Sequence, residues 1–229
     1  AVSGSGAGSV SITNCLFAGN LANDSYTAAV SGRALSVKNC TRLTLDDCLF
    51  ATNGVTAAYV DAPHSTCDVG AALFLQDAKV TARNVRFVGN RVRRIIVGSE
   101  TGGGICRLEY SKGNSPAKIA DSAFTNCLWV GNEERRYVNC KSAQGGGMVW
   151  LPANVKASGT AVGDITFANC TFACNLSVGG GNAQGDTTAA GINVSANRVI
   201  VQNSIFYANM IRKDTFCGSD ICAKGDAAV

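Results

Sequence analysis

The chain has 229 residues, a formal net charge of +4 at pH 7, 11 Cys and only 3 Pro. So weak a positive charge on a long chain argues against a nucleic-acid partner, which requires a strongly basic face. No uncharged apolar run reaches the roughly 18 residues of a membrane span, so we expect no span within these residues.

A seven-residue motif occurs six times along the chain. It begins with Asn or Asp, continues with a small residue, has an aromatic residue at its fourth position and ends with Asn. The aromatic residues are Phe17, Phe50, Phe87, Trp129, Phe172 and Phe206. The closing asparagines are Asn20, Asn53, Asn90, Asn132, Asn175 and Asn209. The aromatic residues are 33, 37, 42, 43 and 34 residues apart, which indicates stacked repeats rather than one globular fold.

Strand patterns surround each motif. Residues 9–13, 42–45, 79–82 and 198–201 alternate polar and apolar side chains ahead of the motif, as half-buried strands do. Small residues lead into a further strand pattern at 31–37, 70–75, 102–105, 145–148 and 190–194. Since no apolar stripe has helical spacing, the sequence predicts about three strands and no helix in each repeat.

Short strands that coil and pair with the next repeat form a parallel β-helix. We predict an all-β solenoid of about six to seven coils, with long loops on one side, as a single segment over residues 1–229. Equivalent residues of successive coils would lie ~4.8 Å apart. The aromatic residues should form a buried column, and the closing asparagines a ladder at a turn, because Asn tolerates left-handed backbone.

The pairing of Phe-x-x-Asn with a tetrapeptide of small residues resembles the repeat of the chlamydial polymorphic outer membrane proteins, the Pmp family. The matching tetrapeptides are Gly70-Ala71-Ala72-Leu73, Gly102-Gly103-Gly104-Ile105 and Gly145-Gly146-Gly147-Met148. The resemblance extends from about Val10 to Ile221, with Trp129 in place of Phe as a departure.

The resemblance implies a right-handed, pectin-lyase-like parallel β-helix in a longer extracellular protein, with a structural or adhesive role, no catalytic activity and no cofactor. The location would be the outer membrane surface of a bacterium, or the cell or ciliary surface of a eukaryote. The expected partners are other chains of a surface assembly, neighbouring coils of the same longer chain, or acidic glycans. Two alternatives stay open: a building block of a surface fibre or ciliary appendage, and a polysaccharide-active β-helix enzyme.

Basic residues follow the closing asparagine in several repeats. The predicted basic strip comprises Arg91, Arg93, Arg94, Arg135, Arg136, Arg212 and Lys213. Stacking would align these cations to bind an acidic glycan or an acidic protein. The alternative is that they are solvated loop charges, partly neutralised by Glu100, Glu133 and Glu134.

The cysteines include no Cys-x2-Cys pair, and His64 is the single histidine, so no metal site is predicted. Their number favours an oxidising compartment. Four of them occupy the second position of the motif, where parallel side chains make poor disulfide partners; they are Cys15, Cys48, Cys127 and Cys170. The disulfide candidates are Cys40, Cys67, Cys106, Cys140, Cys174, Cys217 and Cys222.

Sequons for N-glycosylation occur at Asn23, Asn39, Asn169, Asn175 and Asn193. Asn175 belongs to the asparagine ladder, and the predicted acceptors are Asn23, Asn39 and Asn193.

A β-helix enzyme would need converging carboxylates. The acids at Asp46, Asp47, Asp121, Asp164 and Asp186 are scattered over different coils, and no column repeats them. No catalytic residue is therefore predicted.

Overall fold

The computed structural model describes residues 2–6, 8–22, 34–55, 71–94, 104–111, 118–136, 148–151, 164–178, 189–194, 198–212 and 219–223. Within these ranges the chain forms strands and no α-helix. The strands belong to four parallel sheets, which we name A to D in the order in which the chain meets them.

The strand bounds are as follows. Sheet A contains β1 (Val2–Ser5), β5 (Leu35–Lys38), β9 (Leu73–Gln76), β13 (Cys106–Glu109), β17 (Val149–Leu151), β21 (Ala189–Val194) and β25 (Ser219–Ala223). Sheet B contains β2 (Ser9–Thr13), β6 (Arg42–Asp46), β10 (Lys79–Arg83), β14 (Ser122–Thr125), β18 (Asp164–Ala168) and β22 (Arg198–Gln202). Sheet C contains β3 (Leu16–Ala18), β7 (Leu49–Ala51), β11 (Arg86–Val88), β15 (Leu128–Val130), β19 (Thr171–Ala173) and β23 (Ile205–Tyr207). Sheet D contains β4 (Leu21–Ala22), β8 (Gly54–Val55), β12 (Arg91–Arg94), β16 (Glu133–Arg136), β20 (Leu176–Val178) and β24 (Met210–Arg212).

Each strand pairs with the strand four places away in the chain, so a repeat contributes one strand to every sheet. The prediction of three strands per repeat was therefore wrong by one, the strand of sheet D. This strand follows the closing asparagine and lacks strand-like alternation, as in Glu133–Arg136. It forms because the preceding repeat supplies hydrogen-bond partners: the Glu133 amide donates to the Asn90 carbonyl at 2.9 Å and the Arg91 amide to the Asn53 carbonyl at 2.8 Å. The predicted long loops, which link sheet D to the next strand of sheet A, lie outside the described residues.

The six motif aromatics stack in one column between the sheets. Neighbouring ring centroids are 4.5 to 5.0 Å apart, and the ring planes are inclined by 2° to 15°. Phe50, Phe87, Trp129 and Phe172 are fully buried, as predicted. Phe17 and Phe206 are only partly buried. The parallel register fixes this column, because Phe50 pairs with Phe17 on one side and Phe87 on the other.

A second aromatic pair packs against this column from sheet B. Phe124 and Phe167 stack at 5.0 Å with an interplanar angle of 2°. Both present an edge to Trp129, at centroid distances of 5.5 and 6.1 Å. Stacked and edge-to-face pairs each add about 0.5–1.5 kcal/mol beyond the apolar area buried, so the fourth and fifth repeats have the densest aromatic core.

The closing asparagines form a continuous ladder of amide hydrogen bonds. Each side-chain Nδ2 donates to the Oδ1 of the next asparagine at 2.9 or 3.0 Å. Asn90 shows the complete pattern, since its Nδ2 also donates to the Phe50 carbonyl, and its Oδ1 accepts from both nitrogens of Asn53. Two donors and two acceptor sites are thus all used. The interior asparagines can therefore be fully buried without an unpaired polar atom.

Within the motif, left-handed backbone occurs at two columns other than the ladder. One is the first motif position, including Asn84 with φ of 54°; the other is the residue before the closing asparagine, including Gly89 with φ of 59°. Outside the motif, left-handed backbone also occurs between sheets A and B, as at Asn39 with φ of 53°. The expectation that the ladder asparagines themselves occupy the left-handed turn was therefore wrong. Their side chains hold the ladder, whereas their neighbours turn the backbone.

We expect Phe50→Ala and Phe172→Ala each to lower the free energy of unfolding by about 3–5 kcal/mol, because both rings are fully buried between two stacked neighbours. Urea titration of the purified chain measures the loss. Phe17→Ala is the matched control, since Phe17 is partly exposed and has one stacked neighbour. Equal losses in all three variants would contradict the stacked column.

Thr52 is a β-branched residue with φ of 51°, at a position where three other repeats have Gly19, Gly89 and Gly131. Left-handed backbone costs a non-glycine residue about 1–2 kcal/mol, and glycine costs about 0.5–1 kcal/mol in chain entropy. We therefore expect Thr52→Gly to raise the free energy of unfolding by up to about 1 kcal/mol. The neighbouring change Ala51→Gly should lower it, and a loss of the same size in both variants would show that the turn is unstrained.

Candidate functional site

The predicted basic strip lies on sheet D. The register pairs Arg93 with Arg135 and Arg94 with Arg136, so the backbone positions of each pair are ~4.8 Å apart. For these four arginines the structure describes the backbone. The alignment of the two pairs, which the sequence spacing predicted, is confirmed at this level.

The row that begins with Arg93 and Arg135 continues through Val178 to Arg212. Arg212 is two strands beyond Arg135, or ~10 Å at the normal strand spacing. Lys213 lies outside the described residues. Three arginines therefore share one register row, with a single valine between the second and third.

Acidic residues next to the strip are partly engaged. Arg91 and Glu133 face one another in register, with 3.5 Å between Nε and Oε2, and the Arg91 side chain is 51% exposed. Glu134 is buried and accepts a hydrogen bond from the Ser177 hydroxyl at 3.3 Å. Glu133 thus neutralises the charge of Arg91, whereas the Glu134 side chain is buried. Glu100 lies outside the described residues.

Three of the carboxylates considered for catalysis, Asp46, Asp121 and Asp164, lie at sheet B with a basic partner each. Asp47 is exposed at the left-handed turn that follows β6. Arg83 contacts Asp46 at 3.2 Å and Lys79 contacts Asp121 at 2.9 Å. Arg198 donates two hydrogen bonds of 2.7 Å to Asp164, and these lower the pKa of that carboxyl. The described residues contain no group of three or more His, Cys, Asp or Glu side chains placed to hold a metal ion. His64 and Asp186 lie outside the described residues.

The motif cysteines donate weak hydrogen bonds to backbone carbonyls. Cys48 Sγ lies 3.3 Å from the Asp46 carbonyl, and Cys170 Sγ lies 3.4 Å from that of Ala168. Ser204 makes the equivalent bond through its hydroxyl at 2.9 Å. Burial raises the pKa of the Cys48 thiol. All four cysteines at the second motif position, Cys15, Cys48, Cys127 and Cys170, are free thiols. A small hydrogen-bond donor at this position stabilises the turn into sheet C.

Three of the disulfide candidates are free thiols in the structure, so the prediction was wrong for Cys40, Cys106 and Cys174. Cys106 pairs in register with Leu73 and Val149, so neither adjacent strand offers it a thiol. It is fully buried, accepts a hydrogen bond from the Trp129 indole at 3.4 Å, and has a pKa raised by that burial. Cys67, Cys140 and Cys217 lie outside the described residues, as does the side chain of Cys222.

The predicted glycosylation sites also differ in their surroundings. Asn39 is exposed at a turn, whereas Asn193 is fully buried. Asn193 was therefore wrongly chosen as an acceptor, because both faces of sheet A are buried around β21. Asn23 lies outside the described residues.

Two features of the surface were missed by reading the sequence. On the outward face of sheet A, Arg107 and Glu109 are buried and joined by a hydrogen bond of 2.7 Å, and Gln76 donates to the same carboxylate at 2.7 Å. The sequence indicates this feature by two opposite charges, Arg107 and Glu109, within the strand pattern that follows Gly104. On the outward face of sheet C, most residues are apolar, including Leu49 and Leu128. The sequence indicates this apolar outward face by the leucine between the cysteine and the aromatic residue of the motif.

Comparison with models of protein families, with curated proteins and with solved structures gives no match to the chain. No helix long and apolar enough to cross a membrane occurs in the described part of the chain. The candidate site is therefore defined by the register of sheet D alone: two in-register arginine pairs beside the ion pair of Arg91 and Glu133.

Proposed function

We propose that the chain is a right-handed parallel β-helix with six complete coils, β1 to β24, and the first strand of a seventh, β25. The support is the repeated order of sheets A, B, C and D, together with the in-register columns of aromatic and Asn residues. The pairing of Phe-x-x-Asn with small-residue corners supports a relationship with the Pmp-type repeat. A surface protein of this kind would use the β-helix as a stalk or adhesin.

We further propose a non-catalytic, extracellular role in which sheet D binds an acidic partner, with a glycan as the first candidate. The observation that carries this proposal is the register of Arg93 with Arg135 and of Arg94 with Arg136. Unit charges of one sign repel by about 1 kcal/mol at ~4 Å in water. A bound anion would relieve this repulsion between the two arginines of a pair.

The ion pairs of sheet B favour this role over a polysaccharide-active enzyme. Asp46, Asp121 and Asp164 are each held by a cation of a neighbouring strand, whereas a glycosidase needs two carboxyl groups that converge on one bond. A building block of a surface fibre or ciliary appendage stays a second candidate. Contacts with other protein chains would then replace glycan binding.

We expect the purified chain to bind sulfated or carboxylated glycans on an array and to lose that binding when Arg93, Arg94, Arg135 and Arg136 are changed to Ser. Binding should weaken with added salt, because exposed charges are screened. The matched control changes Arg42, Lys79, Arg83 and Arg198 on sheet B to Ser. Each variant lowers the formal net charge from +4 to 0.

Retained binding in the sheet B variant and loss in the sheet D variant would support the site. Equal loss in both variants would mean that binding depends on total charge and not on the aligned rows. Absence of binding in the unchanged chain would contradict a glycan partner and favour the fibre alternative.

A further inference from the structure

The four described sequons divide into two environments. Asn39 and Asn169 are exposed and occupy left-handed turns, with φ of 53° and 54°. Asn175 and Asn193 are fully buried. Asn169 was not among the acceptors predicted from sequence, and it lies at the turn from sheet B to sheet C.

Attachment of a glycan at Asn175 would disrupt the asparagine ladder. Its Nδ2 donates both of its hydrogens, to the Asn209 Oδ1 at 2.9 Å and to the Trp129 carbonyl at 3.0 Å. A glycosidic bond to Nδ2 removes one of these hydrogens and places a sugar in the packed interior. Asn193 has no room for a sugar either, since all six residues of β21 are buried.

Asn39 and Asn169 have no such obstacle. Both side chains are exposed, and the backbone amides, which donate to the Gln76 and Gln202 carbonyls at 2.9 Å, hold the two turns without using the side-chain amides. A glycan at either position therefore leaves the strand pairing intact.

We propose that Asn39 and Asn169 are N-glycosylation sites, and that Asn175 and Asn193 stay unmodified in the folded chain. The donor is an oligosaccharide carried on a polyprenyl diphosphate. The Asn Nδ2 bonds to C1 of the first sugar, the bond from C1 to the diphosphate oxygen breaks, and the polyprenyl diphosphate leaves as Nδ2 loses a proton. This inference rests on the extracellular location in the proposed function.

The two acceptors lie at the two borders of sheet B. Asn39 precedes β6, and Asn169 follows β18. The basic rows lie on sheet D, which neither position borders. Glycans would cover the ion pairs of sheet B and leave sheet D open to a partner.

The test is secretion of the whole chain from cultured animal cells behind a cleavable signal peptide. Enzymatic removal of N-glycans in heavy-oxygen water converts each occupied Asn to a labelled Asp, which peptide mass spectrometry identifies. We expect label at Asn39 and Asn169 and none at Asn175 or Asn193. Thr41→Ala and Thr171→Ala should each remove one glycan, because each abolishes a sequon without changing the left-handed Asn.

Asn203 allows the complementary test, in which a glycan is added. It is exposed, has φ of 46° and lies in the same turn column as Asn169. Ile205→Thr creates a sequon there and should add one glycan. Unoccupied Asn39 and Asn169 in secreted protein, or label at Asn175 or Asn193, would overturn the proposal. None of these results depends on the arginines of sheet D, so the glycan-binding proposal is tested separately.

Discussion

The parallel register between repeats is the constraint on which the structure depends. Because each strand pairs with its counterpart in the next repeat, every side chain lies ~4.8 Å from an equivalent one. A residue type can recur in a column only if it can stack on itself. Aromatic rings meet this condition by offset stacking, and Asn meets it because its amide is both donor and acceptor.

Columns differ in how much variation they accept, and the contacts explain the difference. Trp129 replaces Phe because a larger ring still stacks on both neighbours, at 5.0 and 4.5 Å. Val85 and Ser204 replace Cys where the requirement is a small side chain. No repeat replaces the closing Asn, since its four hydrogen bonds use the whole amide. Charged columns also differ: in sheet B, Asp46 pairs with Arg83 and Asp164 with Arg198. In sheet D, Arg93 and Arg94 align with Arg135 and Arg136, which is why sheet D is the candidate binding surface.

Much of the interior could be predicted from the sequence, because the interior contains the recurring residues. The spacing of Phe50, Asn53 and their counterparts was sufficient to place both columns and to align the arginine pairs. The strand of sheet D was missed because backbone pairing, rather than side-chain alternation, stabilises Gly54–Val55 and Glu133–Arg136. The free thiols of Cys40 and Cys106 could not be predicted, since disulfide formation depends on which residues lie on adjacent strands. The burial of Asn193 depends on the packing of sheet A on both faces, which no local pattern indicates.

The most direct test of this account compares Asn90→Asp with Asn84→Asp by urea unfolding at pH 7. Asn90 is buried, and the carboxylate would lose two donors and place a charge in the ladder, at a cost of about 3–5 kcal/mol. Asn84 is exposed in a column that already contains Asp47, so its variant should unfold within about 0.5 kcal/mol of the unchanged chain. Equally small effects at both positions would contradict the claim that the amide ladder joins the repeats.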